Sequence, residues 1–253
     1  MPIIRFFRFL GDMIRLVPSR LEREWNDPHL PYPGRPIIIL VTGFAAGRRN
    51  VTVLRKRFLQ DEYNVLVISL QWKSFKEEGR GLNHTVQRLS EMVLRLKKDQ
   101  RTRDLPVYLV AHSAGGLVAR YYIQTMGGYH YCDALVTLGT PHFGTRLAWL
   151  GLFSPLVIKA RILLQLLPHS KFMKSLNDCS LPVSYPALSI LSKNDVIAPP
   201  GRPLPFFKEV EVSKVSHVSF LTSKLCYGVI SEFLKSGALS DINQQYLRHH
   251  PHQ

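Results

Sequence analysis

The chain has 253 residues and a formal net charge of +15 at pH 7, and 45% of its residues are hydrophobic. This apolar content is enough for a large core and excludes a disordered protein outside the tails. Three widely spaced cysteines without a Cys-x-x-Cys pair exclude a disulfide scaffold and a zinc site, and they fit a reducing compartment. The positive charge predicts a polyanionic partner or an anionic membrane, and the sequence contains no basic and aromatic module typical of nucleic-acid binding.

Residues 1–35 are predicted to form an amphipathic helix and a Pro/Gly-rich linker. Arg5, Arg8 and Arg15 share one narrow helical face, and phenylalanine and aliphatic side chains cover most of the rest. Arginines interrupt the apolar run, so the segment has neither a signal-peptide core nor the length of a membrane span. We expect a cytoplasmic protein whose helix lies on an anionic membrane surface, with packing of the helix on the chain's own core as the open alternative.

From Pro36 onwards, apolar runs rich in β-formers alternate with amphipathic helical patterns. The strands are predicted at Ile37–Val41, Asn64–Leu70, Val107–His112, Ala134–Leu138, Ala187–Leu191 and near Phe206–Val212. The helices are predicted after a cap at Asn50, over Asn83–Lys98, over Leu117–Met126 and over about Val218–Leu234. The pattern indicates an α/β fold with a mostly parallel sheet of about six strands and helices on both faces, in a domain at 36–236 followed by a tail at 237–253.

A serine at a turn between small residues joins the third strand to its helix. The stretch is Ala111-His112-Ser113-Ala114-Gly115-Gly116. A strand–turn–helix of this kind pushes the serine hydroxyl out at the carboxyl edge of the sheet in a strained conformation, as a nucleophile requires. Alone, the motif also fits a buried junction whose serine caps the helix.

Residues that suit an acid and a base follow the serine in the order that this kind of sheet needs. Asp195 comes after the fifth strand, and His217 lies in the loop after the sixth. Serine is a poor nucleophile unless a base takes its proton and an acid orients that base. Ser113, Asp195 and His217 are therefore predicted to form a catalytic triad.

Three other residues compete for the roles of acid and base. Asp178 is the alternative acid, although it does not follow a strand. His142 and His112 lie near the serine in sequence, but neither comes after the last strand. His112 is expected to point into the scaffold.

Backbone N–H groups are expected to stabilise the oxyanion that forms during acyl transfer. Ala114 follows the serine at a helix N-terminus, and its N–H is one candidate donor. Phe44 follows Thr42-Gly43 in the loop after the first strand, and its N–H is the second. A plain glycine turn is the alternative interpretation of that loop.

The segment between Thr145 and Pro168 is too apolar for an exposed loop. It belongs to a predicted insertion at about 145–178, which folds onto the core as an extra helix or covers the site as a lid and acyl-chain wall. The candidate lid and substrate contacts are Trp149, Leu150, Leu152 and Phe153.

The sequence resembles the lipases and esterases of the α/β-hydrolase fold, in particular the small bacterial triacylglycerol-lipase-like branch. The matching pieces are Ala111–Gly116, Leu138–Thr145, Thr42–Phe44, Leu167–Asn177 and the surroundings of Asp195 and His217, within about Pro36 to Leu234. Three features depart from the family pattern: Ala111 in place of glycine, Thr42 in place of histidine, and the lack of a secretion signal.

The resemblance implies that Ser113 is the nucleophile, His217 the base and Asp195 the orienting acid, with Phe44 and Ala114 as oxyanion donors and the lid inserted after Thr145. We therefore expect a lipase or carboxylesterase that needs no metal or other cofactor and acts on lipid-like acyl esters. The alternatives are a membrane-associated binding protein that has lost turnover and an acyltransferase with the same triad.

Overall fold

A computed structural model describes residues 30–43, 48–70, 81–145, 164–182 and 184–236. It contains β1 (Ile37–Thr42), β2 (Asn64–Ser69), β3 (Val107–His112), β4 (Ala134–Leu138), β5 (Ala187–Leu191) and β6 (Lys208–Glu211). These strands form one sheet in the order β2-β1-β3-β4-β5-β6, and every neighbouring pair is parallel. The predicted six-stranded sheet is confirmed, and its described strands are entirely parallel.

The helices differ from the predicted bounds mainly at their first residues. They are α1 (Arg48–Gln60), α2 (Leu82–Lys98), α3 (Ala114–Thr125), α4 (Lys171–Asp178) and α5 (Lys224–Ser236). Helix α1 begins at Arg48, so the prediction that Asn50 caps it is wrong, because Asn50 is already the third helical residue.

The last helix begins later than predicted. Its expected start at Val218 is wrong, because a 3₁₀ turn at Ser219–Leu221 precedes α5. The Ser223 hydroxyl accepts a hydrogen bond from the N–H of Cys226 at 3.2 Å, which caps α5 and sets its first turn. The chain therefore turns twice between His217 and the helix.

Two apolar layers cover the sheet because alternate residues of each strand face opposite sides. Ile37, Ile39 and Val41 pack in the layer that contains α2, α3 and α4. Ile38 and Leu40 pack in the layer that contains α1 and α5. Every residue of β1 is buried, which explains its continuous apolar sequence.

The carboxyl ends of parallel strands lie at one edge of a sheet, and loops there carry the functional side chains of open α/β folds. Ser113 follows β3, Asp195 follows β5 and His217 follows β6. The topology thus places the three predicted triad residues at the same edge. In the part of the chain that the structure describes, no helix is both long and apolar enough to cross a membrane.

Candidate active site

Ser113 occupies a backbone conformation that side-chain-bearing residues rarely adopt. Its φ is 56° and its ψ is −133°, between the last residue of β3 and the first of α3. Its N–H donates to the carbonyl oxygen of Leu138 at 3.0 Å, and the hydroxyl of Thr140 donates to its carbonyl oxygen at 3.1 Å. Such strain costs about 1–3 kcal/mol and persists where the surroundings enforce it, which is typical of a nucleophile.

Glycines allow the strand end, the turn and the helix to approach closely. A Cβ on Gly43 would lie 2.9 Å from Cβ of Ser113 and 3.0 Å from the nitrogen of Ala114. A Cβ on Gly115 would lie 2.3 Å from the carbonyl oxygen of Val41. The small residues of the motif are therefore required by packing, and they let α3 begin at Ala114 rather than at the predicted Leu117.

The structure brings Ser113, His217 and Asp195 together in one hydrogen-bonded chain. Nε2 of His217 lies 2.8 Å from Oγ of Ser113, and Nδ1 of His217 lies 2.8 Å from Oδ2 of Asp195. A carboxylate accepts only, so Nδ1 carries the proton and Nε2 is free to accept one from the serine hydroxyl. All three residues are buried.

The second carboxylate oxygen of Asp195 is held by the backbone of its own loop. Oδ1 accepts hydrogen bonds from the N–H groups of Ile197 at 2.9 Å and Ala198 at 3.0 Å. These bonds compensate for burial of the charge and leave Oδ2 facing the imidazole of His217. The acid is therefore fixed by its loop independently of the base.

Ala114 is the first residue of α3, so its N–H has no acceptor within the helix and lies at the positive end of the helix dipole. The predicted second donor, Phe44, lies outside the described residues, one residue beyond Gly43. The predicted lid residues Trp149, Leu150, Leu152 and Phe153 also lie outside them.

His112 points into the protein as expected, but it contacts the candidate base. Its Nε2 lies 2.7 Å from the carbonyl oxygen of His217, and the two ring centroids are 5.0 Å apart. Burial and the neighbouring His217 lower the pKa of His112 to about 3. Sequence reasoning missed this contact, because nothing in the pattern links positions 105 residues apart.

Arg57 is a second residue that sequence reasoning did not single out. Its guanidinium donates hydrogen bonds of 2.8 Å to the carbonyl oxygens of Thr222 and Ser223. The hydroxyl of Tyr227 in α5 donates back to the carbonyl oxygen of Arg57 at 3.0 Å. These bonds connect α1, which follows the predicted oxyanion loop, with the segment that follows His217.

The structure does not bring the competing residues into the triad. Nε2 of His142 contacts the hydroxyl groups of Thr137 at 3.1 Å and Ser189 at 3.3 Å. Burial and, to a smaller degree, Arg120 lower the pKa of His142 well below its usual value, so it stays neutral. Asp178 is the exposed last residue of α4.

A pocket of about 360 Å³ lies beside the acid loop. Its walls are residues 140–145 after β4, residues 196–199 after Asp195, and Leu191, Gly201, Arg202 and Glu209. The guanidinium carbon of Arg202 lies 4.1 Å from the ring centroid of Phe143. Within the described ranges, no group of three His, Cys, Asp or Glu side chains is placed to hold a metal ion.

Comparison with known proteins agrees with this geometry. Residues 34–167 match the model of the family described as "Putative serine esterase (DUF676)". No curated protein sequence matches the chain.

Solved structures show the same fold at low sequence identity. An α/β hydrolase, MGS-MChE2, from the metagenome of Mar Chica lagoon sediments in Morocco is 18% identical, with a TM-score of 0.61 over 81% of this chain and 93% of that one. Mature Bacillus licheniformis lipase BlEst2 is 20% identical, with a TM-score of 0.60 over 82% and 96%. Paleococcus ferrophilus monoacylglycerol lipase is 14% identical, with a TM-score of 0.58 over 82% and 96%. The fold is therefore the α/β-hydrolase fold.

Proposed function

We propose that this chain, which belongs to the DUF676 family of putative serine esterases, hydrolyses carboxylic esters of lipid-like molecules. The observation that carries the proposal is the buried chain of hydrogen bonds from Ser113 through His217 to Asp195. A nucleophile, a base and an orienting acid in this order are the parts that acyl transfer through serine needs.

In the first half of the reaction, Oγ of Ser113 attacks the ester carbonyl carbon while Nε2 of His217 takes the hydroxyl proton. The imidazolium that forms is stabilised by the carboxylate of Asp195. The carbonyl oxygen becomes an oxyanion, which accepts a hydrogen bond from the N–H of Ala114 and, by the sequence prediction, from that of Phe44. Collapse breaks the bond to the alcohol oxygen, which leaves with the proton from His217.

In the second half, water replaces the alcohol. Nε2 of His217 takes a proton from water as the water oxygen attacks the acyl carbon bound to Ser113. The second tetrahedral intermediate uses the same donors, and its collapse returns the proton to Oγ and releases the carboxylic acid. One donor of this kind contributes roughly 10²–10³-fold to the rate.

The lipid-like substrate class rests on the apolar composition of the segment after Thr145 and on the neighbouring pocket of about 360 Å³. An acyl chain needs an apolar wall, and pockets for small ligands are mostly apolar with a few polar groups. We place the enzyme on a membrane surface, because the amphipathic N-terminal segment and the charge of +15 suit an anionic bilayer.

A fluorophosphonate probe tests the proposal, because it labels only an activated serine. We expect the wild-type chain to be labelled and S113A to be unlabelled while keeping the same melting temperature. A p-nitrophenyl ester series from acetate to palmitate then gives the preferred chain length, measured as kcat/KM. A folded wild-type chain that neither labels nor releases p-nitrophenol would instead favour the non-catalytic binding protein.

A further inference from the structure

His112 closes a ring of contacts around the reacting pair. Its side chain contacts the carbonyl oxygen of His217 at 2.7 Å, and the imidazole of His217 contacts Oγ of Ser113 at 2.8 Å. The peptide bond between His112 and Ser113 completes the ring. The base is therefore held at its backbone by the residue that precedes the nucleophile.

We infer that His112 is a positioning residue for the proposed hydrolysis, which holds the catalytic base at a fixed distance from the nucleophile through its side-chain hydrogen bond. The inference rests on the proposed function and adds a residue to it. A shift of the base by 1 Å can cost roughly 10²-fold in rate, so one hydrogen bond to its backbone has a measurable effect.

The backbone of His112 also reaches the side of the site where the oxyanion forms. The N–H of Gly43, at the end of β1, donates to the carbonyl oxygen of His112 at 3.0 Å. Gly43 directly precedes Phe44, the predicted oxyanion donor. His112 therefore contacts three parts of the site. Its carbonyl oxygen binds the start of the oxyanion loop, its peptide bond leads to the nucleophile, and its side chain binds the backbone of the base.

The hydrogen bond fixes which nitrogen of His112 carries the proton. A carbonyl oxygen accepts only, so Nε2 of His112 donates and Nδ1 is unprotonated in the neutral ring. Nδ1 is buried and has no hydrogen-bond partner among the described residues. Protonation of Nδ1 would bury an unsatisfied cation whose ring centre lies 5.0 Å from that of His217.

A neutral donor suits this position because the base itself must become positively charged during the reaction. The burial that lowers the pKa of His112 to about 3 keeps that ring uncharged throughout the range in which esterases work. His112 therefore holds the base in place without opposing the imidazolium of His217.

His142 is the second buried histidine near the site, and its contacts differ from those of His112. Both rings are buried, and each has an Nδ1 without a partner in the described part of the chain. His142, however, contacts the hydroxyl groups of Thr137 and Ser189 rather than any residue of the triad. Loss of the His112 ring would release the backbone of the base, whereas loss of the His142 ring would alter packing and the wall of the pocket.

The test compares side chains of equal length with and without a donor. H112Q keeps an amide N–H near the position of Nε2, and H112M removes it. C132A is the control for lost packing, because Cys132 is buried just before the amino end of β4, at the edge of the sheet opposite the site. For each full-length variant we measure the melting temperature, the rate of fluorophosphonate labelling, and kcat and KM with p-nitrophenyl butyrate.

We expect H112M to lose roughly 10- to 100-fold in kcat and in labelling rate, with KM within about twofold of the wild type. H112Q regains kcat to within about threefold, and C132A is destabilised without a matching fall in kcat. If H112M does not fold, H112F replaces it as the variant without a donor.

Wild-type kcat in H112M, or equal losses in folded H112Q and H112M, would overturn the inference, since the donor would then be irrelevant. A wild-type chain that is not labelled overturns the proposed function itself and the inference with it. The labelling of the wild type therefore distinguishes the two failures.

Discussion

Gly139 lies so close to Asp195 that a Cβ on Gly139 would be 2.7 Å from Oδ2 of the carboxylate. The same atom would be 2.7 Å from the ring of Phe220, and the φ of Gly139 is +50°. Oδ2 is the oxygen that contacts His217. The carboxylate of Asp195 therefore fits beside the end of β4 only because Gly139 has no side chain.

Replacing Gly139 with alanine is expected to displace the acid. We expect G139A to lose about 2 kcal/mol of unfolding free energy beyond the cost of its φ, and at least about 10-fold in kcat. Gly34 is the control, because its φ is +74° and a Cβ there would meet nothing within 4 Å. G34A should lose only about 1 kcal/mol and keep kcat.

Urea unfolding and p-nitrophenyl ester hydrolysis measure both quantities on both variants. Equal kcat in G139A and G34A would show that the carboxylate of Asp195 tolerates the displacement, contrary to the geometry.

Asp195 is expected to act by fixing the tautomer of His217. In D195N an amide replaces the carboxylate oxygen that accepts from Nδ1, so the wrong ring nitrogen carries the proton. We expect a fall in kcat of roughly 10³–10⁴-fold with little change in the melting temperature. D178N is the matched control, because Asp178 was the alternative acid and is exposed at the end of α4.

Steady-state hydrolysis of a soluble ester at pH 8 gives kcat for the two variants. A large loss in D178N with an active D195N would assign the acid to α4 instead.

Strands β1 to β5 were predictable because they lie between two apolar layers and therefore read as nearly continuous apolar runs. The edge strand β6 has only one buried residue, Val210, and its bounds were predicted only approximately. β4 and β5 have the predicted bounds, and β1 and β2 differ by one residue at their carboxyl ends. The order Ser113, Asp195, His217 was also accessible, since parallel strands bring the residues after their carboxyl ends to one edge. The parallel topology of the sheet therefore made it possible to predict that these three residues lie close together.

Contacts between distant segments were not predictable in this way. The acceptors of His112 and Arg57 are backbone carbonyl oxygens, which any residue possesses, so no residue type marks them in the sequence. The segment after His217 first forms a 3₁₀ turn, and the hydrogen bond to the Ser223 hydroxyl fixes the residue at which α5 begins. Such details follow from loop positions that periodicity does not encode.

Membrane binding through the N-terminal segment stays a prediction, because residues 1–29 lie outside the described residues. Replacing Arg5, Arg8 and Arg15 with glutamine in the full chain removes three charges, each worth about 1 kcal/mol at an anionic surface. We expect roughly 100-fold weaker binding to vesicles that contain phosphatidylglycerol, measured by sedimentation.

The same three positions replaced with lysine keep the charge and should bind like the wild type. Unchanged binding of the glutamine variant would show that the basic surface lies elsewhere or has no membrane role.

Two buried histidines near the candidate active site, His112 and His142, make the free energy of unfolding depend on pH. His112 and His142 both have lowered pKa values in the folded protein, to about 3 for His112 and well below the usual value for His142. An unfolded chain protonates these rings near pH 6.5, so below that pH the unfolded state binds more protons than the native state. The stabilisation that comes from keeping these rings neutral is therefore fully present above pH 6.5. It is lost as the pH falls towards the pKa values of the two histidines in the folded protein.

Between pH 7 and pH 5 His112 is expected to reduce the unfolding free energy by about 2 kcal/mol. H112Q removes one titrating ring, so its loss over this range should be smaller than that of the wild type by about that amount. Urea midpoints at the two pH values measure the difference, and parallel curves for wild type and H112Q would mean that His112 accepts a proton in the folded protein.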